Sequence, residues 1–286
     1  MTSYEDDKRG AALTATTSTE KVPVAPPSPA ITDAEDRRIR RRIDWHILPI
    51  ICTTYALQYL DKSCLAYASV MGFRQDTHLS LRQYSWLGSI FNLGYLAGAY
   101  PMTWGLHRFP LSKFAGATIV VWGWILCMMA VGHNFSGLMA IRFFLGFFEA
   151  SITPSLMLLT SQWYKGREQG TRTGFWTSMN TVGGIFGGAV SYGLAKADHN
   201  GTLSIPGWKI IFVLLGLMTA AIGVIFALFI PDSIDTARFL DEDGKRIAKE
   251  RVRGNLVVIG EKHWAWDQVL EACLDPKVCW APMLYH

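Results

Sequence analysis

The sequence predicts an all-α membrane protein built as a bundle of six transmembrane helices, and three observations predict it. Half of the 286 residues are hydrophobic and only 17% are charged. The charges crowd into the two ends and a few short loops, whereas a soluble protein interleaves them at helical or strand spacing. Apolar stretches of about 20 residues recur along the chain, long enough to cross a hydrocarbon core of about 30 Å at 1.5 Å per residue.

The apolar segments run at 45–67, 85–105, 114–132, 137–160, 173–195 and 208–230, the third with the least length to spare. An even number of spans puts both ends on one side. On that side fall the run Arg37, Arg38, Arg40, Arg41 and Arg42, then Arg108, Lys113, Lys165, Arg167, Arg172, Arg238, Lys245, Arg246 and Lys249. The other side holds only Arg74, Arg82, Lys196 and Lys209, so the asymmetry predicts cytoplasmic termini. The sequons Asn134-Phe135-Ser136 and Asn200-Gly201-Thr202 both land in loops assigned to the outside.

Residues 1–44 read as a disordered cytoplasmic tail, because the tract TATTSTEKVPVAPPSP has too little apolar surface to order itself. Met1 to Gly10 is polar and acidic, unlike a signal peptide. Residues 45–230 form the bundle. Residues 231–286 read as a central-loop segment, with a charged surface helix over TARFLDEDGKRIAKERVR and a truncated end at DPKVCWAPMLYH.

Several chemistries are excluded. The arginine run directly precedes an apolar helix and sets topology, so no nucleic acid is expected as a partner. Cys52, Cys64 and Cys127 fall within apolar helices, and Cys273 and Cys279 have no metal-ligand spacing, so no disulfide, metal or cofactor is expected. His46, His107 and His133 stand singly at helix ends, which argues against a membrane-embedded enzyme. TVGGIFGGAVSYG lacks the Lys-Ser/Thr of a phosphate loop and lies inside a span. It reads as a packing face through Gly184 and Gly188, as do Gly94 and Gly98 in helix two.

The informative residues are charges where charges are costly: Asp61 and Lys62 in helix one, Arg142 and Glu149 in helix four. Each costs at least about 2.5 kcal/mol at the helix centre on insertion scales, which favours pairing, a water-lined face and function. Arg142 and Glu149 are seven apart, about 20° short of two turns, so they share a face about 10 Å apart along the axis. Asp61 lies roughly 24 Å beyond Trp45, level with Arg142, while Glu149 sits near the midplane. Two cations and two carboxylates thus line one polar track, or form structural ion pairs between helices one and four. Lys62 also has the reach to snorkel to the surface. Gln58, Asn92, Trp176 and Asn180 are weaker candidates for the cavity, with Tyr55 and Tyr59, since a lone polar residue in a membrane helix more often bonds a neighbouring helix.

Around these charges the motifs become familiar. YLDKSCLAYASVMG, QYSWLGSIFNLGYLAGAYP, RFFLGFFEASITPSLMLLTSQWY and WKIIFVLLG with IPDSIDTARFL resemble the anion:cation symporter family of the major facilitator superfamily, closest to the fungal allantoate permease group. The resemblance extends from about Asp44 to the last residues. It implies the amino-terminal half of a twelve-helix fold, with substrate held between two six-helix bundles that rock to alternate access. It also implies proton-coupled symport of a small organic anion such as allantoate, ureidosuccinate or nicotinate, at the plasma membrane. Arg142 would engage the carboxylate, Asp61 and Glu149 would carry the proton, and Lys62 would tune Asp61.

Two departures stand out. The usual Asp-Arg of helix one is Asp61-Lys62, which keeps the cation and loses the bidentate fork. The gating loop GLHRFPLSK keeps Arg108 and Lys113 but lacks the acid of the superfamily signature, with Pro110 in place of a Gly. The chain also ends about where a seventh helix should begin. The expectation is therefore a truncated product, one that pairs with a second six-helix half, or a non-transporting sensor or regulator of intact permeases.

Overall fold

The computed structural model describes residues 32–253, and its regular elements are helices α1 (Asp33–Val70), α2 (Phe73–Asp76), α3 (Leu81–Arg108), α4 (Leu111–Met128), α5 (Phe135–Glu149), α6 (Ile152–Trp163), α7 (Gly166–His199), α8 (Gly207–Phe229) and α9 (Glu242–Val252). The expected unstructured stretch at 1–31, the truncated end, Cys273 and Cys279 lie outside the described residues. Six long rods result, with α5 and α6 forming the fourth. By length and composition alone, α4, the combined Phe135–Trp163 rod and α8 are apolar enough to cross a membrane. The rods α1, α3 and α7 are also long enough, and their mean hydropathy is diluted by polar residues and glycines.

Three expectations change. The tail does not reach residue 44, because α1 begins at Asp33. Ile39, Ile43, Ile47 and Ile51 recur every fourth residue as one buried stripe that carries helix one beyond the bilayer. Asp33, Glu35 and Asp36 in its first turn also favour a helix start. The charged surface helix is shorter than expected: α9 starts only at Glu242, leaving TARFL outside it. Helix four is broken at Ala150 and Ser151. Pro154 in the first turn of α6 has no N–H for the Ala150 carbonyl, which ends the α5 ladder there.

The rods pack chiefly in pairs, α4 on α8, α3 on α5, and α1 on α7 and α8. Small residues set the crossings. A Cβ on Gly94 or Gly98 would overlap the carbonyls of Phe143 and Phe147, and one on Gly146 would meet that of Phe91. These backbones touch, as expected for Gly94 and Gly98. In α7 the packing pair is Gly183 and Gly187, against Ala56 and Leu60, rather than Gly184 and Gly188. Gly184 meets only the Tyr59 ring and Gly188 nothing within 4 Å, since one residue turns the helix face by 100°.

At the basic end, where α1 begins, ion pairs join three elements. Arg251 of α9 has a fully buried side chain. Its Nε donates to Asp36 Oδ1 at 2.8 Å, and its Nη2 donates to both Glu168 oxygens at 3.0 Å. Lys165 donates to the same Asp36 oxygen at 2.5 Å, and Arg40 lies 3.5 Å from Glu168. Burial works to raise the Asp36 carboxyl, but the bonds and charges of Lys165 and Arg251 outweigh it and hold it below the usual range. Arg42 bonds Asp241 just before α9. Asp232, after α8, accepts the amide N–H groups of Ser112 at 2.9 Å and Lys113 at 3.3 Å, so it caps α4, whose own N-cap Pro110 has no side-chain donor or acceptor to offer.

Candidate functional site

Helix α1 brings Gln58, Asp61 and Lys62 to the inner face of the bundle, opposite Arg142 and Glu149 on α5 and Trp122 on α4. Gln58, Asp61, Trp122, Arg142 and Glu149 are all buried, with Asp61 1% and Arg142 2% exposed. In a membrane rod such burial of charge is costly unless the groups answer one another.

They answer only in part. Glu149 Oε1 accepts a hydrogen bond from Gln58 Nε2 at 3.0 Å and pairs with Lys62 Nζ at 3.2 Å. Lys62 also lies 5.8 Å over the Tyr95 ring, which steers a half-exposed side chain inward. Asp61 Oδ2 accepts the indole N–H of Trp122 at 2.6 Å. Arg142 is the strongest charge acting on Asp61, and Asp61 in turn acts on Glu149, yet no ion pair joins Arg142 to either. Asp61 Oδ1, Glu149 Oε2 and the Arg142 Nε and Nη2 groups are buried with no hydrogen-bond partner among the described residues.

The geometry modifies the roles expected from sequence. Lys62 makes its ion pair with Glu149, and its charge also acts on Asp61 beside it. Gln58 belongs to the cluster. Trp176 is fully buried, edge-on to Tyr55 with ring centroids 4.6 Å apart, and its indole N–H has no partner. Asn180, one turn along α7, is half-buried and bonds to none of the cluster. Asn92 is exposed on α3 and bonds only the Gly88 carbonyl of its own helix, at 3.5 Å. Arg108 is exposed at the basic end, and Lys113 beside it sits 3.8 Å from Asp232.

Trp122 is the residue that sequence reasoning missed. A Trp in an apolar rod carries no signal that separates core, lipid boundary and hydrogen-bond donor. The break after Glu149 was legible in Pro154, whose consequence is that Glu149 ends α5 with its side chain free of a continuing helical turn.

The Nε and Nη2 hydrogens of an arginine lie on one edge of the guanidinium, the edge that takes a carboxylate with two parallel bonds. Arg142 presents that edge without a partner among the described residues, its charge acting on Asp61, while Asp61 and Glu149 each keep one unpartnered oxygen. That edge has the donor geometry that two-pronged recognition of a carboxylate requires. No group of three or more His, Cys, Asp or Glu able to hold a metal occurs among the described residues.

Fold and cluster together define a helical membrane protein with charged side chains buried in its core. The chain belongs to the Major Facilitator Superfamily, whose sequence pattern matches residues 51–283. It is 39% identical over 240 residues to an uncharacterised transporter of Schizosaccharomyces pombe, covering 84% of this chain and 46% of that protein. It is 36% identical to a thiamine pathway transporter of Saccharomyces cerevisiae, covering 86% and 46%. To the allantoate permease of the same yeast it is 34% identical, covering 89% and 47%. The chain thus spans about half the length of the curated relatives it matches. A bacterial homologue of the human lysosomal transporter Spinster, crystallised inward-facing and unoccupied, shares the fold with a TM-score of 0.59 at 18% identity, over 71% of this chain and 44% of that one.

Proposed function

We propose that this segment forms one charged wall of a proton-coupled carrier for a small organic anion, the other wall being a second six-helix bundle. The observation that supports the reading is the buried, unpartnered edge of Arg142, whose charge acts on Asp61. Arg142 binds the substrate carboxylate. Asp61 and Glu149 take up and release the proton, with Trp122 holding the first and Gln58 and Lys62 the second. The allantoate permease relative supports a substrate of the allantoate kind, and the family resemblance extends it to carboxylates such as ureidosuccinate or nicotinate.

Alternating access needs two bundles that close against each other, which is why a second half is part of the proposal. Arg108 and Lys113 form the gating loop on the cytoplasmic side. The missing acid of that loop is supplied from Asp232. Both termini face the cytoplasm and the carrier works at the plasma membrane, a reading supported by the Lys/Arg asymmetry. Reporter fusions after Asn134 and Asn200 should read external, and those after Lys165 and Lys245 cytoplasmic.

The test is uptake by a carrier completed with a second six-helix bundle. Arg142→Ala should abolish proton-driven accumulation of the anion. Arg142→Lys should keep the charge, lose the two-pronged contact and raise KM. Normal uptake by the Arg142→Ala protein would reduce the cluster to ion pairs that hold helices together.

A further inference from the structure

One face of α1 answers to neither the bundle core nor the charged cluster. Around the helix, Arg37, Arg38 and Arg41 lie within about 80° of Trp45, and Leu48, Pro49 and Cys52 within about 60° of it. Ile43 and Asp36 point about 160–180° away, into the core and the Arg251 network. The face therefore runs as one line, with arginines below and apolar side chains above.

Its lower residues are open, while Cys52 at the top is buried. Trp45 is 81% exposed, and Arg37, Arg38 and Arg41 are exposed as well. Arg41 has no partner among the described residues. Arg37 bonds only the Asp33 carbonyl of its own helix, and Arg38 acts on Asp241 only at a distance. Directly above, a groove of about 310 Å³ between α1 and α7 is lined by Asp44, Trp45, Leu48, Pro49, Cys52 and Phe175. Its one acid, Asp44, is matched by Arg172 at 3.1 Å, so the groove itself presents an apolar surface.

We propose that this face binds a net-anionic glycerophospholipid from the leaflet at the amino-terminal end of α1, with its phosphate on Arg37, Arg38 and Arg41 and one acyl chain in the groove beside Trp45. Depth supports the match. Arg41 lies about 6 Å below Trp45, inside a headgroup layer roughly 5–8 Å thick, while Arg38 and Arg37, about 10 and 12 Å below, reach back to it with their long side chains. A Trp at the boundary with arginines reaching the phosphates is the usual arrangement at an anionic surface. The proposal rests on the membrane fold and is independent of the transport reading.

The test places the purified chain in phosphatidylcholine nanodiscs doped with a small fraction of lipid brominated on its acyl chain, either phosphatidylserine or phosphatidylcholine. The fluorescence component lost in Trp45→Phe reports the groove. Brominated phosphatidylserine should quench it at a mole fraction at least about tenfold lower, because each arginine held at an anionic surface contributes roughly fivefold. The preference should weaken as salt rises. The triple Arg37→Gln, Arg38→Gln, Arg41→Gln protein should lose it, each single substitution should lower it by roughly fivefold, and Arg167→Gln, at the same end but off this face, should leave it unchanged. Equal quenching by the two lipids overturns the proposal, as does a preference that survives all the α1 substitutions. Absence of any quenching of Trp45 also overturns it, since another protein surface would then cover the groove.

Discussion

Two charged regions of this molecule are each centred on a buried arginine and are differently satisfied. At the basic end, Arg251 spends Nε and Nη2 on Asp36 and Glu168, Lys165 and Arg40 complete the set, and only Arg251 Nη1 is left without a partner. In the membrane core, Arg142 makes no ion pair among the described residues and leaves its Nε and Nη2 groups unmet, as Asp61 and Glu149 each leave one oxygen. A satisfied buried network fixes elements relative to one another, whereas unsatisfied buried groups are costly and persist where another partner visits. The contrast separates a clamp joining α1, α7 and α9 from a site prepared for an anion and a proton.

The sharpest way to break the comparison is to exchange the effects of its two arginines. In a completed carrier, Arg142→Met should cut uptake at low substrate by about 100-fold, as for losing a charge-assisted contact worth about 3 kcal/mol. Arg251→Met should leave uptake per folded molecule near normal. Melting of the purified protein should show the reverse order: Arg251→Ala strands Asp36 and Glu168 and should destabilise by about 3–5 kcal/mol, more than Arg142→Met does. If Arg142→Met proves the more destabilising, the core cluster is a clamp as well.

Trp122→Phe sharpens the core side. It keeps the ring and removes the donor to Asp61, so helicity and melting should stay close to normal while uptake falls by about tenfold, the scale of one hydrogen bond to a charged group. Uptake indistinguishable from the parent would make the indole contact incidental.

The smallest effect is a pH dependence of the clamp. Asp36 titrates below its ordinary 3.8 when folded, so its share of stability is fully present above that value and is lost as pH falls through the lower, folded one. Melting should therefore be insensitive to the clamp at neutral pH and weaken below about pH 4. Asp36→Asn should remove that part of the acid loss. An unchanged acid profile in Asp36→Asn would show that other carboxylates govern it.

The apolar runs and four charges inside the spans were enough to give the helical membrane fold, the order of the rods and the charged residues of the core cluster. Those properties are local or periodic: a span is a length, a face is an angle of 100° per residue, and a charge in an apolar run is visible without its partner. Tertiary structure decided who pairs with whom. It assigned Lys62 to Glu149, brought Trp122 from α4 onto Asp61, left Asn92 on an outer face and moved the packing glycines of α7 by one residue. It also turned Arg251, one charge among many in a polar stretch, into a buried clamp. Pairing depends on the rotation and crossing of separate rods, which backbone contacts such as Gly94 on Phe143 set and which no single stretch of sequence encodes.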